Sequence, residues 1–256
     1  MIILSPSKGQ QQTAIPAEVA TTVPEFLEEA KQLLAYLRTL SIDEVTALMR
    51  LGPSLVERTH TQLHTMDLDS LLEGGSPALL TFRGSAFLGI DALQCSTDDL
   101  VFAQQHVRIL SGLYGILRPL DRMLPYRLEM GTPVPNALGK NLYDYWRDRV
   151  TAHLNTALAL EEHPVLINLA SKEYAGSVLR PRLTAPWLDI QFKEEKGGQL
   201  RTVTIYTKKA RGMMAGFFIR RRIDNPEELK DFQEDGYRFR PELSTDRTWV
   251  FTRPSS

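Results

Sequence analysis

Four groups of polar residues in this chain have the types and spacing that hold an anion. Ser5, Ser7 and Lys8 follow the apolar run at 1–4, and Arg83 and Ser85 follow a second run at 78–82. Asn168, Ser171, Lys172 and Glu173 cluster at the end of VLINL (165–169), and Lys208, Lys209 and Arg211 open a long apolar segment. Hydroxyls and cations just past buried strands sit where α/β sheets place their sites. If the clusters converge in one cleft, Lys8 or Lys172 can act as a base or a charge clamp. Each group also has a plainer reading. Ser5 to Lys8 reads equally as a solvated turn, and Ser171 as a helix N-cap with Tyr174 packed beneath it.

A fifth stretch organises the middle of the chain. Residues 97–130 open with Thr97 as a cap and Asp98 and Asp99 on the positive end of a helix dipole. Leu100, Val107 and Leu110 share an apolar helical face, and Arg108 falls off it. SGLYG follows, with Gly112 and Gly115 around Leu113 and Tyr114, and then Arg118-Pro119 suits the start of another helix. That order predicts a helix-hairpin-helix element whose hairpin amides face a phosphate, with Arg108 and Arg118 adding charge. The same glycines fit a C-cap and turn packed into the core.

These groups need a scaffold, and the chain can build one. Its 256 residues, 43% hydrophobic, suffice for a sizeable core. The net charge of −1 hides an asymmetry: residues 164–222 hold twelve Lys and Arg against four Asp and Glu, while residues 1–102 hold six against thirteen. A basic segment of that kind is the footprint of a polyanion-binding face. The single cysteine, Cys95, excludes an internal disulfide and suits a reducing cytoplasm. No apolar run reaches the length of a signal peptide or membrane span, so a soluble cytoplasmic protein, unassociated with membranes, is expected.

Helices are expected over 24–40, from a capping box at Ser41 and Glu44, over 55–66 and over 142–160, the last with Tyr143, Trp146, Val150, Leu154 and Leu158 buried. Strands are expected at 1–4, 78–82 and 165–169. A hairpin is expected with strands 187–194 and 199–207 around Lys196-Gly197-Gly198. Residues 131–139 read as a long connection. A final helix is expected to start at Lys208, where three cations oppose its dipole unless an anion is bound. No repeat divides the chain, so residues 1–256 read as one interwoven domain of mixed α/β class, a central sheet flanked by helices.

Three stretches together, SGLYGILRPLDRMLPYRLEMG, INLASKEY and KKARGMM, resemble the peroxide stress protein YaaA family, and ILSPSK at the start fits as well. The resemblance runs from residue 1 to the tail. Departures are small: Gly9-Gln10-Gln11-Gln12 follow Lys8, and Arg83 stands where relatives often have lysine. The resemblance implies a cytosolic protein of the hydrogen peroxide response, linked to limiting free iron and protecting DNA. It also implies a family-specific α/β fold, a basic cleft, a helix-hairpin-helix element and binding to duplex DNA. It brings no established catalytic residues.

The leading expectation is therefore a monomeric protein that binds duplex DNA with little sequence preference, branched and repair-intermediate DNA included. Its contacts would be Arg108, Gly112, Leu113, Tyr114, Gly115, Arg118, Lys172, Lys208, Lys209 and Arg211. The alternative is an enzyme acting on a nucleotide or nucleic-acid end through a cleft of Ser5, Ser7, Lys8, Arg83, Asn168 and Ser171. No cofactor or metal is expected. His60 and His64 stand four apart but lack a third ligand, and five scattered histidines make direct iron binding weak. Asp91, Asp98 and Asp99 near Cys95 oppose a reactive thiolate.

Overall fold

The computed structural model describes residues 1–13, 19–134 and 139–255. Its main sheet has eight strands: Ile2–Leu4 (β1), Val107–Ser111 (β2), Gly115–Leu117 (β3), Leu166–Asn168 (β4), Trp187–Lys196 (β5), Gln199–Arg201 (β6), Arg238–Phe239 (β7) and Thr248–Pro254 (β8). Their order across the sheet is β7-β8-β5-β4-β1-β2-β3, with β6 also pairing to β5. The five strands from β8 to β2 run parallel, and β3, β6 and β7 are antiparallel additions. Ile2 lies opposite Val107 on one side and Ile167 on the other, so the first residues hold the middle of the sheet. Every residue of β1, β2 and β4 is buried, as strands covered by helices on both faces require. The fold is thus a mixed α/β domain with a mostly parallel central sheet flanked by helices.

The central stretch folds differently from the helix-hairpin-helix expectation. The helix Thr97–His106 forms, capped by Ser96 in a capping box with Asp99 rather than by Thr97. It stops at Val107, whose backbone is extended, and Val107–Ser111 becomes a strand beside β1. Gly115–Leu117 returns antiparallel to it, so SGLYG is the turn of a β-hairpin and no second helix follows. The apolar residues at 100, 107 and 110 fit a helical period, but the pairing of Val107 to Ile109 with Ile2 to Leu4 overrides it. Gly115 has φ +69°, and a Cβ there would lie 2.5 Å from the Trp146 ring. Trp146 donates its Nε1–H to the Gly112 carbonyl at 2.9 Å, which locks the hairpin to the helix Leu142–Leu158. That helix buries Tyr145 where Tyr143 was expected.

Other boundaries also move. Residues 78–81 form a helical turn before the short strand Phe82–Arg83, because Ala and Leu favour helix and Thr81 donates to the Pro77 carbonyl. The helices Leu27–Arg38, Ile42–Met49 and Pro53–Thr65 match their expected segments, and Ser41 and Glu44 make the expected capping box. The expected strand 199–207 ends at Arg201, and the last long helix already begins at Thr204. Residues 135–138 of the expected 131–139 connection lie outside the described residues.

The helices Ser85–Ile90 and Thr204–Arg221 cross backbone to backbone. A Cβ on Gly212 would fall 1.8 Å from the Ala86 carbonyl oxygen, and one on Gly89 would fall 2.6 Å from the Lys209 carbonyl oxygen. Both obstacles are main chain and cannot rotate away. Gly212→Ala should therefore cost about 3 kcal/mol despite alanine's better helix propensity. For a chain of this size that is a melting-temperature loss of roughly 6–12 °C. Gly74→Ala, where nothing lies within 4 Å of the new Cβ, should melt like the wild type. Equal melting of the two variants would show that the crossing tolerates the methyl group.

Candidate anion-binding cleft

The connection leaving β1 leads to β2 on one side, whereas the connection leaving β4 leads to β5 on the other. The carboxyl ends of these adjacent parallel strands diverge there, which is the topological switch point of the sheet. Two hydrogen bonds join the diverging segments. The Ser171 amide donates to Ser5 Oγ at 2.8 Å, and Ser5 Oγ donates to Ser171 Oγ at 3.2 Å. Ser171 also caps the short helix Lys172–Ala175 by accepting from the Tyr174 amide. The N-cap reading of Ser171 holds, and the residue also lines the cavity at this point.

A cavity of about 480 Å³ opens at this point. Ser5, Ser7 and Lys8 line it from β1, Ser85 from the crossing helix, Ser171 and Glu173 from β4, and Lys208 and Arg211 from the last helix. Three of the strand-end clusters and the basic segment therefore converge. Arg127 and Glu129 also face the cavity, from an extended stretch that sequence reasoning quoted but did not single out. Four cations thus meet two carboxylates. Lys8 pairs with Glu129 at 3.1 Å, and Glu173 accepts from the Gly131 amide at 3.0 Å. Lys208 has no hydrogen-bond or ion-pair partner among the described residues.

Arg211 is the most constrained of the four. Its Nε is buried and has no acceptor, and burial lowers its pKa, with Asp189 opposing that shift. The guanidinium stays charged at any physiological pH. A fixed, partly desolvated cation with a spare donor is a strong anion ligand. Three hydroxyls beside it are engaged by the protein itself. Ser5 and Ser171 bond each other and backbone amides, and Ser7 Oγ accepts from the Gly9 amide at 3.2 Å. Among the described residues none of these three hydrogen-bonds to a histidine, lysine or carboxylate side chain.

The remaining expected site residues lie elsewhere. Gly112, Leu113, Tyr114 and Gly115 are buried in the hairpin, so their amides face the core. Arg108 is 6% exposed and donates to the carbonyls of Gln104, Gln105 and Val107 and to His153 Nε2. Arg118 is held by Asp121 and the Val23 carbonyl. Lys209 pairs with Asp235 at 3.4 Å, and Arg83 donates to Thr13 Oγ1 at 2.7 Å outside the cavity. Because the helix starts at Thr204, the cations at 208–211 lie beyond its first turn, and the expected conflict with its dipole disappears. Asn168 and Lys172 line a second cavity on the other side of their strand end.

The histidine and thiol expectations can be placed as well. His60 and His64 stack at 4.3 Å, with His64 Nδ1 against the His60 carbonyl. Among the described residues, Glu162, His163 and Asp224 are the group whose possible ligand atoms lie within 4.8 Å of one another, and all three are exposed. Burial raises the Cys95 pKa, and Asp99 and Asp91 add to it, which opposes a thiolate as the sequence predicts. No described helix is long and apolar enough to cross a membrane.

The combination of a mostly parallel sheet and a cleft lined by four cations at its switch point defines an α/β protein with a basic cleft at its strand ends. Residues 1–243 match the family model described as "Peroxide stress protein YaaA", and the chain belongs to that family. It is 43% identical over 251 residues to a UPF0246 protein of Cellvibrio japonicus, covering 98% of this chain and 97% of that one. A UPF0246 protein of Ralstonia nicotianae is 43% identical over the full length of both chains, and one of Caulobacter vibrioides is 41% identical over 99% of each.

The Arg108–His153 contact gives a pH prediction. Burial first, and then the Arg108 and Arg118 charges, push the His153 pKa down to about 4 from its ordinary 6.5. As pH falls below 6.5 the unfolded chain takes up this proton before the folded one does, so stability falls until about pH 4 and then no further from this group. His153→Gln keeps an acceptor for Arg108 but does not titrate. The melting-temperature gap between wild type and variant should narrow or reverse between pH 7 and pH 4. A constant gap would remove His153 from the acid response.

Proposed function

We propose that this protein serves the peroxide stress response by binding DNA, with little sequence preference, through the phosphates of a strand laid in the switch-point cleft. The observation that carries this is the convergence of Lys8, Arg127, Lys208 and Arg211 on one cavity at the sheet's switch point. Cations without base-reading side chains position a backbone and leave sequence unread. The buried hairpin takes no part in this reading, and the cleft replaces it as the contact surface. Protection of DNA follows from occupancy. The two carboxylates that line the cleft among the described residues, Glu129 and Glu173, are engaged by Lys8 and the Gly131 amide, and the reading takes any effect on free iron as indirect.

This reading separates neighbouring cations on one helix. Each lost phosphate contact should flatten the slope of log affinity against log salt by about 0.9 on duplex DNA. Lys208→Gln should do so on two unrelated duplexes alike, whereas Lys209→Gln, which removes a partner of Asp235, should leave the slope unchanged. Salt titrations followed by fluorescence anisotropy decide it. Equal slopes for wild type and Lys208→Gln would move the contact surface away from the cleft.

A further inference from the structure

A second cavity, of about 850 Å³, lies behind the first. The segment after β4 is the partition between them. Asn168, Ala170 and Lys172 line the second cavity, and Leu169, Ser171 and Glu173 line the first. The alternation from Asn168 to Ser171 places the two cavities on opposite sides of the chain there, and Lys172 and Glu173 continue the division from the first turn of the short helix. Arg211 belongs to the walls of both, and it is the only residue among the described ones that does. Both volumes are of the size that small ligands fill, roughly 300–1,000 Å³. The second cavity adds Arg147, Lys172 and Arg180 against Asp189, with Thr202, Thr207 and the Asn168 carboxamide as neutral polar groups. Asn168 donates to Asp189 at 2.8 Å, which holds both side chains at the wall.

We infer that the two cavities form one bilobed site for a ligand of two nucleoside units joined by a phosphate bridge, with the bridge on Arg211. The inference rests on the phosphate-binding reading of the cleft and names what enters it. Arg211 is the cation common to both walls, so a phosphate that bridges the two lobes meets its guanidinium. The net positive charge of each lobe suits the phosphates on either side. A base-paired duplex cannot bend one nucleotide to each side of a partition a single chain thick, so the matching form of DNA is unpaired. A free dinucleotide has the same chemistry.

The probes are thymidine 5′-monophosphate, the 5′-phosphorylated dinucleotide pdTpdT, a dithymidine pyrophosphate and a blunt duplex, titrated calorimetrically against the full chain. The dinucleotide should bind at least tenfold more tightly than the monophosphate. Arg211→Gln should abolish that ratio, and so should Lys172→Gln, an exposed residue whose loss does not threaten folding. Tighter binding of pdTpdT than of the pyrophosphate assigns the site to unpaired DNA, and the reverse order assigns it to a free dinucleotide; both support the bilobed site. Equal binding of mono- and dinucleotide by the wild type, or an unchanged ratio in Lys172→Gln, overturns it. Duplex binding that still depends on Lys208 would, in that event, leave the broader reading standing. Binding of the pyrophosphate with neither pdTpdT nor duplex bound would reject the DNA reading and keep the bilobed site.

Discussion

The site depends on one contact between two helix backbones. Gly212 and Gly89 let Thr204–Arg221 and Ser85–Ile90 cross with no side chain between them. Lys208 and Arg211 lie within one turn of Gly212, and Ser85 begins the other helix, so the crossing sets three residues of the cleft against the ends of β1 and β4. A wider crossing would lift both cations off the strand ends. The packing constraint and the site are therefore neighbours on the same two helices.

Charge is the second constraint. The basic segment looks like a polyanion-binding surface in sequence, yet part of it is neutralised in the fold. Arg222 meets Asp98 and Asp99, Arg220 meets Glu234, Lys209 meets Asp235, and Arg180 meets Asp189. The partners come largely from the acidic first hundred residues and the acidic tail. Exposed pairs of this kind add little stability, but they remove free charge from the surface. Lys208 and Arg211, which line the cleft, have no ion-pair partner among the described residues.

Much of the sheet was legible in sequence. MIIL is apolar throughout and VLINL has Asn168 as its one polar residue, as strands covered on both faces require. The hydroxyls and Lys8 after β1, and Ser171 after β4, were legible as strand-end clusters, and their convergence follows from the parallel pairing of β1 with β4. The hairpin was misread because Leu100, Val107 and Leu110 satisfy a helical period while Val107 to Ile109 pair with the N-terminal strand, a contact across a hundred residues that local spacing does not encode. The start of the last helix was misread for a similar reason, since the alternation at 202–206 matches a strand. Arg127 and Glu129 carried no local signal and reach the cleft only through the fold.

The central claim is that Arg211 is a phosphate ligand, and its buried Nε–H offers a direct reporter. In arginine Nε–H correlation spectra the account predicts one shielded resonance, removed by Arg211→Lys, that shifts progressively as 5′-phosphorylated dinucleotide is added. Binding detected by calorimetry while that resonance stays in place would put the phosphate elsewhere and contradict the account.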